Sequence, residues 1–209
     1  ELVFNPEYIS KMKGCGVSFL DSATEVIPAA LHYLGKPPFS KNPSDYTAAA
    51  NVLKAVRPHV TLFSSSGYIN DMANGSICLS LGWSGDVNIA RQRAIDGKTG
   101  QNIQALVPAN GGLLFFDTMV IPADAARPGN AYKFIDFMLR PEVIARATNF
   151  TGYANANRSA TALVDPDIAA DPAIYPDSET QRRLHASKIL SPKLERRRSR
   201  TWIKIKSGL

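Results

Sequence analysis

The sequence predicts an α/β fold, and three observations carry that prediction. Short apolar runs recur at Val17-Ser18-Phe19-Leu20, Val60-Thr61-Leu62-Phe63 and Ile77-Cys78-Leu79-Ser80-Leu81, each the length of a buried strand. Each run ends in small, polar or glycine residues, and each is followed by a helix-length stretch with an apolar face. Strand, polar loop and helix in alternation are the pattern of a parallel sheet covered by helices. The chain has 209 residues with 44% hydrophobic residues, enough to bury a real core as one large domain or two small ones.

Asn5 to Lys13 is predicted as a short helix with Pro6 in its first turn. Gly14-Cys15-Gly16 breaks it before the Val17 strand. Asp21-Ser22-Ala23-Thr24 supplies helix-start residues, and Glu25 to Leu34 follows with an apolar face at Val26, Ala30 and Tyr33 or Leu34. Pro37 to Pro43 is loop, Ser44 or Asp45 opens a helix toward Val56, and Pro58 stops it. After the Val60 strand, Ser64-Ser65-Ser66-Gly67 leads into a helix over Tyr68 to Ala73. The Ile77 strand ends in Gly82-Trp83-Ser84-Gly85-Asp86, where glycines are expected to allow a sharp bend, and Val87 to Ile95 reads as helix. Ile103 to Val107 and the mostly apolar Leu113 to Pro122 are predicted strands. Asn130 to Leu139, Pro141 to Ala147 and Ser178 to Ala186 are predicted helices, with Pro- and Asp-rich turns over Asp165 to Tyr175.

Composition removes several classes of function. The net charge is +6, concentrated near the C-terminus from Arg182 to Lys206. That run reads as a solvated face, because no nucleic-acid reading motif accompanies it. No apolar run approaches the roughly 18 to 20 residues of a membrane span, so the chain is not membrane-embedded. It opens at Glu1 without an initiator Met, a start compatible with a processed or truncated product, and the missing signal says nothing against export. His32, His59 and His185 have no ligand-spaced partners, which leaves a metal site unsupported. Gly-Trp-Ser-Gly-Asp lacks the order of a nucleophile elbow, and no phosphate or dinucleotide loop is present. Neither catalysis nor a cofactor is predicted. Cys15 and Cys78 are compatible with two buried thiols or with one disulfide.

What remains is a set of aromatic and polar residues at strand ends and loops: Glu25, Ser65, Trp83, Asp86, Phe115, Asp117 and Tyr153. Each has a plain alternative. Trp83 and Phe115 can be core, Asp86 can cap a helix, Glu25 can complement its helix dipole, and Tyr153 can pack on the surface. Asp117 interrupts an apolar run, so it either faces solvent at a bend or awaits a cation. Taken together, carboxylates and aromatic faces form a cleft suited to an organic ammonium.

Several longer motifs match one family. Cys15-Gly16-Val17-Ser18-Phe19-Leu20-Asp21, Leu31-His32-Tyr33-Leu34-Gly35-Lys36, Tyr68-Ile69-Asn70-Asp71, Gly82-Trp83-Ser84-Gly85-Asp86, Phe115-Phe116-Asp117, Tyr153-Ala154-Asn155-Ala156-Asn157 and Lys204-Ile205-Lys206-Ser207-Gly208 resemble the periplasmic polyamine-binding proteins of ABC importers. The resemblance covers essentially the whole chain. It implies a type II periplasmic binding protein fold, two lobes with crossing hinge strands, of which the N-terminal part of one lobe is absent from this chain. It divides the chain into residues 1–95, most of the second lobe; 96–164, the hinge crossing and the rest of the first lobe; and 165–209, a C-terminal return to the second lobe. It implies capture of putrescine or a related polyamine such as spermidine, delivery to an ABC transporter permease, and a periplasmic location.

Carried over by motif, the resemblance assigns ligand contacts to Trp83, Asp86, Phe115, Asp117, Tyr153, Ser65 and Glu25. It places Asp86 with Glu25 at one end of the ligand and Asp117 at the other. It pairs Cys15 with Cys78. A second expectation, from another class, is a non-transport interaction or regulatory module that keeps the fold, because half a cleft desolvates a ligand poorly.

Overall fold

The computed structural model describes residues 2–209. Its centre is a parallel three-stranded sheet in the order β2-β1-β3, with β1 (Val17–Phe19) between β2 (Leu62–Phe63) and β3 (Leu79–Leu81). Phe19 lies opposite Phe63 on one side and Leu81 on the other. Every residue of β1 is buried, as expected for a strand covered on both faces.

Helices cover the sheet, and local chemistry sets their ends. α1 (Pro6–Ile9) starts where the Asn5 side chain accepts a hydrogen bond from the Glu7 amide. α2 (Ala23–Tyr33) follows β1, and α3 (Pro43–Val56) is capped by Asn42 with Pro43 in its first turn. α4 (Tyr68–Ala73) links β2 to β3, and α5 (Ser84–Asp96) follows β3. One core unites these layers through Val26, Ile27, Leu31, Leu53, Val56 and Ala90. Cys15 and Cys78 are joined as a disulfide, with Cα atoms 5.5 Å apart across 63 residues of sequence. The loop-entropy argument gives such a crosslink about 4 kcal/mol.

The second half of the chain departs from the sequence prediction. Among the described residues Ile103 to Val107 pairs with no strand and is irregular, although Ile103 is buried. The predicted Leu113 to Pro122 strand shortens to β4 (Leu113–Leu114), because only those residues find a partner. That partner is β5 (His185–Ala186), which the sequence reading placed at the end of a helix; α9 (Ser178–Arg182) stops before it. α6 (Pro128–Met138) buries none of its residues, and α7 (Pro141–Thr151) buries only Ala145 and Thr148. A second, small core joins Ala145, Ala160 and Val164, near the short α8 (Pro166–Ala169).

The chain ends in α10 (Pro192–Ser207), a helix the sequence reading left as a basic tail. Leu194, Arg198, Trp202 and Ile205 line its buried face, and it packs on α2 and α3. Asp21, at the end of β1, holds it: the carboxylate accepts from Trp202 Nε1 at 3.1 Å and from Lys206 Nζ at 2.6 Å. The Lys206 ammonium, aided by the indole N–H, keeps the Asp21 carboxyl below its ordinary range. Arg57 donates to the Lys206 carbonyl and lies over the Phe63 ring, which meets Trp202 edge-on.

Candidate functional site

Because the three strands run parallel, their carboxyl ends lie along one edge of the sheet. That edge is where open α/β folds bind ligands. It carries Glu25 in the first turn of α2 after β1, Ser65 in the loop after β2, and Trp83 and Asp86 at the start of α5 after β3. The sequence reading began the last of these helices at Val87. The helix begins at Ser84 instead, with Trp83 as its extended N-cap residue, so Asp86 lies in its first turn. A carboxylate there faces the positive end of the helix.

Asp86 is the best-supported group on this edge. One oxygen accepts from the Tyr68 hydroxyl at 2.9 Å, the other from the Tyr153 hydroxyl at 2.7 Å. The Tyr68 oxygen in turn accepts from the Trp83 amide at 3.1 Å. Burial first, and the adjacent carboxylate after it, push both phenols well above the ordinary tyrosine value. They therefore stay protonated donors. Each carboxylate oxygen has two acceptor sites, so two tyrosines orient Asp86 and leave capacity for an incoming donor.

The glycines around Asp86 do something other than bend the chain. Neither Gly82 nor Gly85 has a positive φ. A Cβ on Gly82 would lie 2.7 Å from Tyr68 Cε2, and one on Gly85 would overlap the Tyr153 ring. The motif thus makes room for the two tyrosines that grip its carboxylate. Gly152 completes the arrangement: it ends α7 at φ 70°, and a Cβ there would come within 2.9 Å of Asn88 Cβ on α5. Only glycine combines that backbone with that approach, and the turn returns Tyr153 across α5.

An aromatic wall stands beside the carboxylate. Trp83 meets Phe115 with ring centroids 6.4 Å apart, and Phe115 meets Tyr153 at 6.0 Å, both edge-to-face. The structure thus brings Trp83, Asp86, Phe115 and Tyr153 together from three separate parts of the chain. Asp117 lies on the exposed segment after β4, near enough for its charge to raise the Tyr153 pKa further.

Glu25 stands at the carboxyl end of β1, on the same edge as Asp86 at the end of β3. Glu25 is half-buried and makes no side-chain hydrogen bond or ion pair among the described residues. Burial raises its carboxyl above the ordinary range, and the charge of Arg198 draws it partly back. Ser65 is left available because Ser64 caps the turn, its hydroxyl oxygen accepting from the Gly67 amide at 2.8 Å. Among the described residues, no cluster of three or more His, Cys, Asp or Glu side chains could hold a metal ion. No described helix is long and apolar enough to cross a membrane.

Tyr68 is the residue that sequence reasoning missed. It is completely buried, and a buried tyrosine hydroxyl needs a partner. The available signal was a tyrosine opening a helix one turn after a strand, with a Gly-x-x-Gly-Asp segment following the next strand.

Comparison with known proteins places this geometry. Residues 7–176 match the family of bacterial extracellular solute-binding proteins. The chain is 44% identical over its whole length to the putrescine-binding periplasmic protein of Escherichia coli (strain K12), covering 56% of that protein. It is 45% identical over 208 residues to the putrescine-binding periplasmic protein of Pseudomonas aeruginosa (strain UCBPP-PA14), covering 57% of it. The chain thus spans little more than half the length of these relatives. In structure it is similar to a spermidine/putrescine ABC transporter substrate-binding protein of Streptococcus pneumoniae. That match has a TM-score of 0.80 at 25% identity and covers 98% of this chain and 62% of the other.

Proposed function

The chain belongs to the bacterial extracellular solute-binding proteins, and on that premise we propose that it forms much of a receptor for putrescine or a related polyamine. The observation that carries the reading is Asp86, a carboxylate oriented by two tyrosine hydroxyls beside the Trp83–Phe115–Tyr153 wall. A diamine is two ammonium groups joined by methylenes. Asp86 takes one ammonium, Asp117 the other, and the aromatic rings cover the hydrocarbon between them. Ser65 and the unpartnered Glu25 add a polar and an acidic contact from the neighbouring strand ends. Each hydrogen bond to a charged group is worth about 1.5 to 3 kcal/mol net, and each aromatic face about 0.5 to 2.

The same reading assigns delivery to an ABC transporter permease and a periplasmic location. The disulfide supports it, since such crosslinks persist in oxidising compartments. We read the protein as binding without turnover, supported by relatives that carry the names of binding proteins. The division into residues 1–95, 96–164 and 165–209 belongs to the same proposal. It is supported by α10 packing back on α2 and α3, while Ala145 of α7 belongs to a second, small core.

Titration calorimetry of the full-length protein with putrescine and spermidine tests the site. Asp86→Asn is expected to weaken putrescine binding at least about tenfold, from the loss of one charge-assisted contact. Unchanged affinity would remove Asp86 from the site.

A further inference from the structure

The charge of this molecule is distributed in an unusual way. α10 carries seven Lys or Arg residues against a single Glu, a net +6. The whole chain also has a net charge of +6. The remaining residues of this chain therefore sum to zero, and its net charge resides on one helix.

Two of the seven cations are committed inward. Arg198 is buried and pairs with Glu195, and Lys206 pairs with Asp21. The other five, Lys193, Arg196, Arg197, Arg200 and Lys204, are all exposed. Their spacing of three and four residues gathers them along the outer side of the helix. Glu195, the only acid in the helix, is turned to Arg198, so no carboxylate of α10 opposes them. Trp202, Ile205 and Leu194 fix the opposite side in the core, which makes the cationic face a rigid surface.

Two further features lie on this side. A groove of about 170 Å³ between α3 and α10 is lined by Thr47, Asn51, Lys54, Arg197 and Lys204, a donor set suited to phosphate oxygens. Exposed apolar side chains stand among the cations: Ile203 is 65% exposed and Leu209 is 74% exposed. Trp202, the only aromatic residue of α10, is buried and cannot stack on a base.

We propose that the outer face of α10 is a docking surface for an anionic phospholipid bilayer. The five cations meet lipid phosphates, the α3–α10 groove seats a headgroup, and Ile203 and Leu209 touch the interface. Polybasic surfaces are drawn to such a membrane within a Debye length of it. Aliphatic side chains among the cations suit a bilayer, whereas single-stranded nucleic acid calls for exposed rings to stack on. A single-sign face of this kind also steers approach to an oppositely charged surface. The inference does not depend on the polyamine reading.

Co-sedimentation of the full-length protein with vesicles tests it. The protein is expected to pellet with vesicles of phosphatidylethanolamine and phosphatidylglycerol, to stay in solution with phosphatidylcholine alone, and to be released as salt rises. Replacing Lys193, Arg196, Arg200 and Lys204 together by Gln should weaken partitioning at least about tenfold. Replacing the exposed cations Lys98, Arg127 and Lys133 by Gln should change it little. Equal pelleting with both vesicle types, full binding by the α10 variant, or equal loss in the two variants would overturn the proposal. So would displacement from the vesicles by a short oligonucleotide at equal charge, which would make nucleic acid the better partner. The vesicle and salt comparisons need no variant, so the test does not rest on the substituted protein folding.

Discussion

The residues around the three-stranded sheet and the residues between Ile103 and Ala186 differ in how much of their apolar surface this chain buries. The first region, closed by α10, holds almost the entire buried core. The second has a small cluster at Ala145, Ala160 and Val164. It leaves Leu106, Phe116, Val120, Tyr132, Phe134 and Phe150 mostly exposed. Hydrophobic content does not separate the two, since both are rich in large apolar residues. The difference is whether those residues have an element to pack against. Yet the candidate site draws on both regions: Asp86, Trp83 and Tyr68 come from the first, Phe115, Asp117 and Tyr153 from the second. A wall packed on the large core thus meets one that this chain leaves largely exposed, at the place where a ligand would be held.

The comparison breaks if the two regions respond alike to truncation of a large side chain. Ile27 is completely buried on α2, and Ile27→Ala should cost about 2 to 5 kcal/mol. Phe134 is 57% exposed on α6, and Phe134→Ala in this chain should change stability by no more than about 0.5 kcal/mol. Urea unfolding of both variants measures the contrast; equal losses would mean that α6 is packed as well as α2.

A smaller effect is expected where the regions touch. Gly85→Ala forces a methyl group into the Tyr153 ring. Overpacking of this kind costs about 1 to 3 kcal/mol. Because the ring is held by the second region, the strain should be relieved by moving Tyr153 off Asp86 rather than by disturbing α5. Hydrogen exchange would then show faster opening around residues 152–157 with α5 protection retained. Loss of protection in α5 instead would place the weaker element in the first region.

The smallest effect concerns pH at the other seam. His32 at the end of α2 and His185 in β5 meet with ring centroids 5.0 Å apart, and His32 Nε2 lies 3.0 Å from the Asn110 carbonyl oxygen. Burial, then the charges of His32 and Lys188, hold His185 below its ordinary value of 6.5. The folded state therefore binds this proton less readily than the unfolded chain, so stability should fall as pH drops through about 6.5. A shallower decline in the urea midpoint for His185→Gln between about pH 7 and 5 is the expected result. Identical pH profiles would show that β5 does not sense the pair.

The legibility of the sequence follows the same division. β1, β2 and β3 and helices α2 to α5 were readable because each buries a continuous run or an apolar face whose period survives without knowing its neighbour. The predicted strand at Ile103 to Val107 had an equally apolar sequence and failed, since a strand exists only where a second strand accepts its hydrogen bonds. β5 was hidden for the converse reason: His185 and Ala186 carry no strand signal, and Leu113 and Leu114 impose the pairing. In the candidate site, the residue types were visible, but their grouping was not. Tyr68 read only as the start of a helix, and the glycines of Gly82-Trp83-Ser84-Gly85-Asp86 looked like turn residues.

By itself, then, the sequence determined the α/β class, the buried runs and the inventory of carboxylates and rings. These depend on interactions within a few residues and on hydrophobic period. Tertiary structure alone decided that two tyrosines, 85 residues apart in the chain, close on one carboxylate, and that the basic tail is a helix with one face in the core. Those outcomes depend on which surfaces meet, and a hydroxyl buried at a contact takes whatever acceptor the packing brings to it.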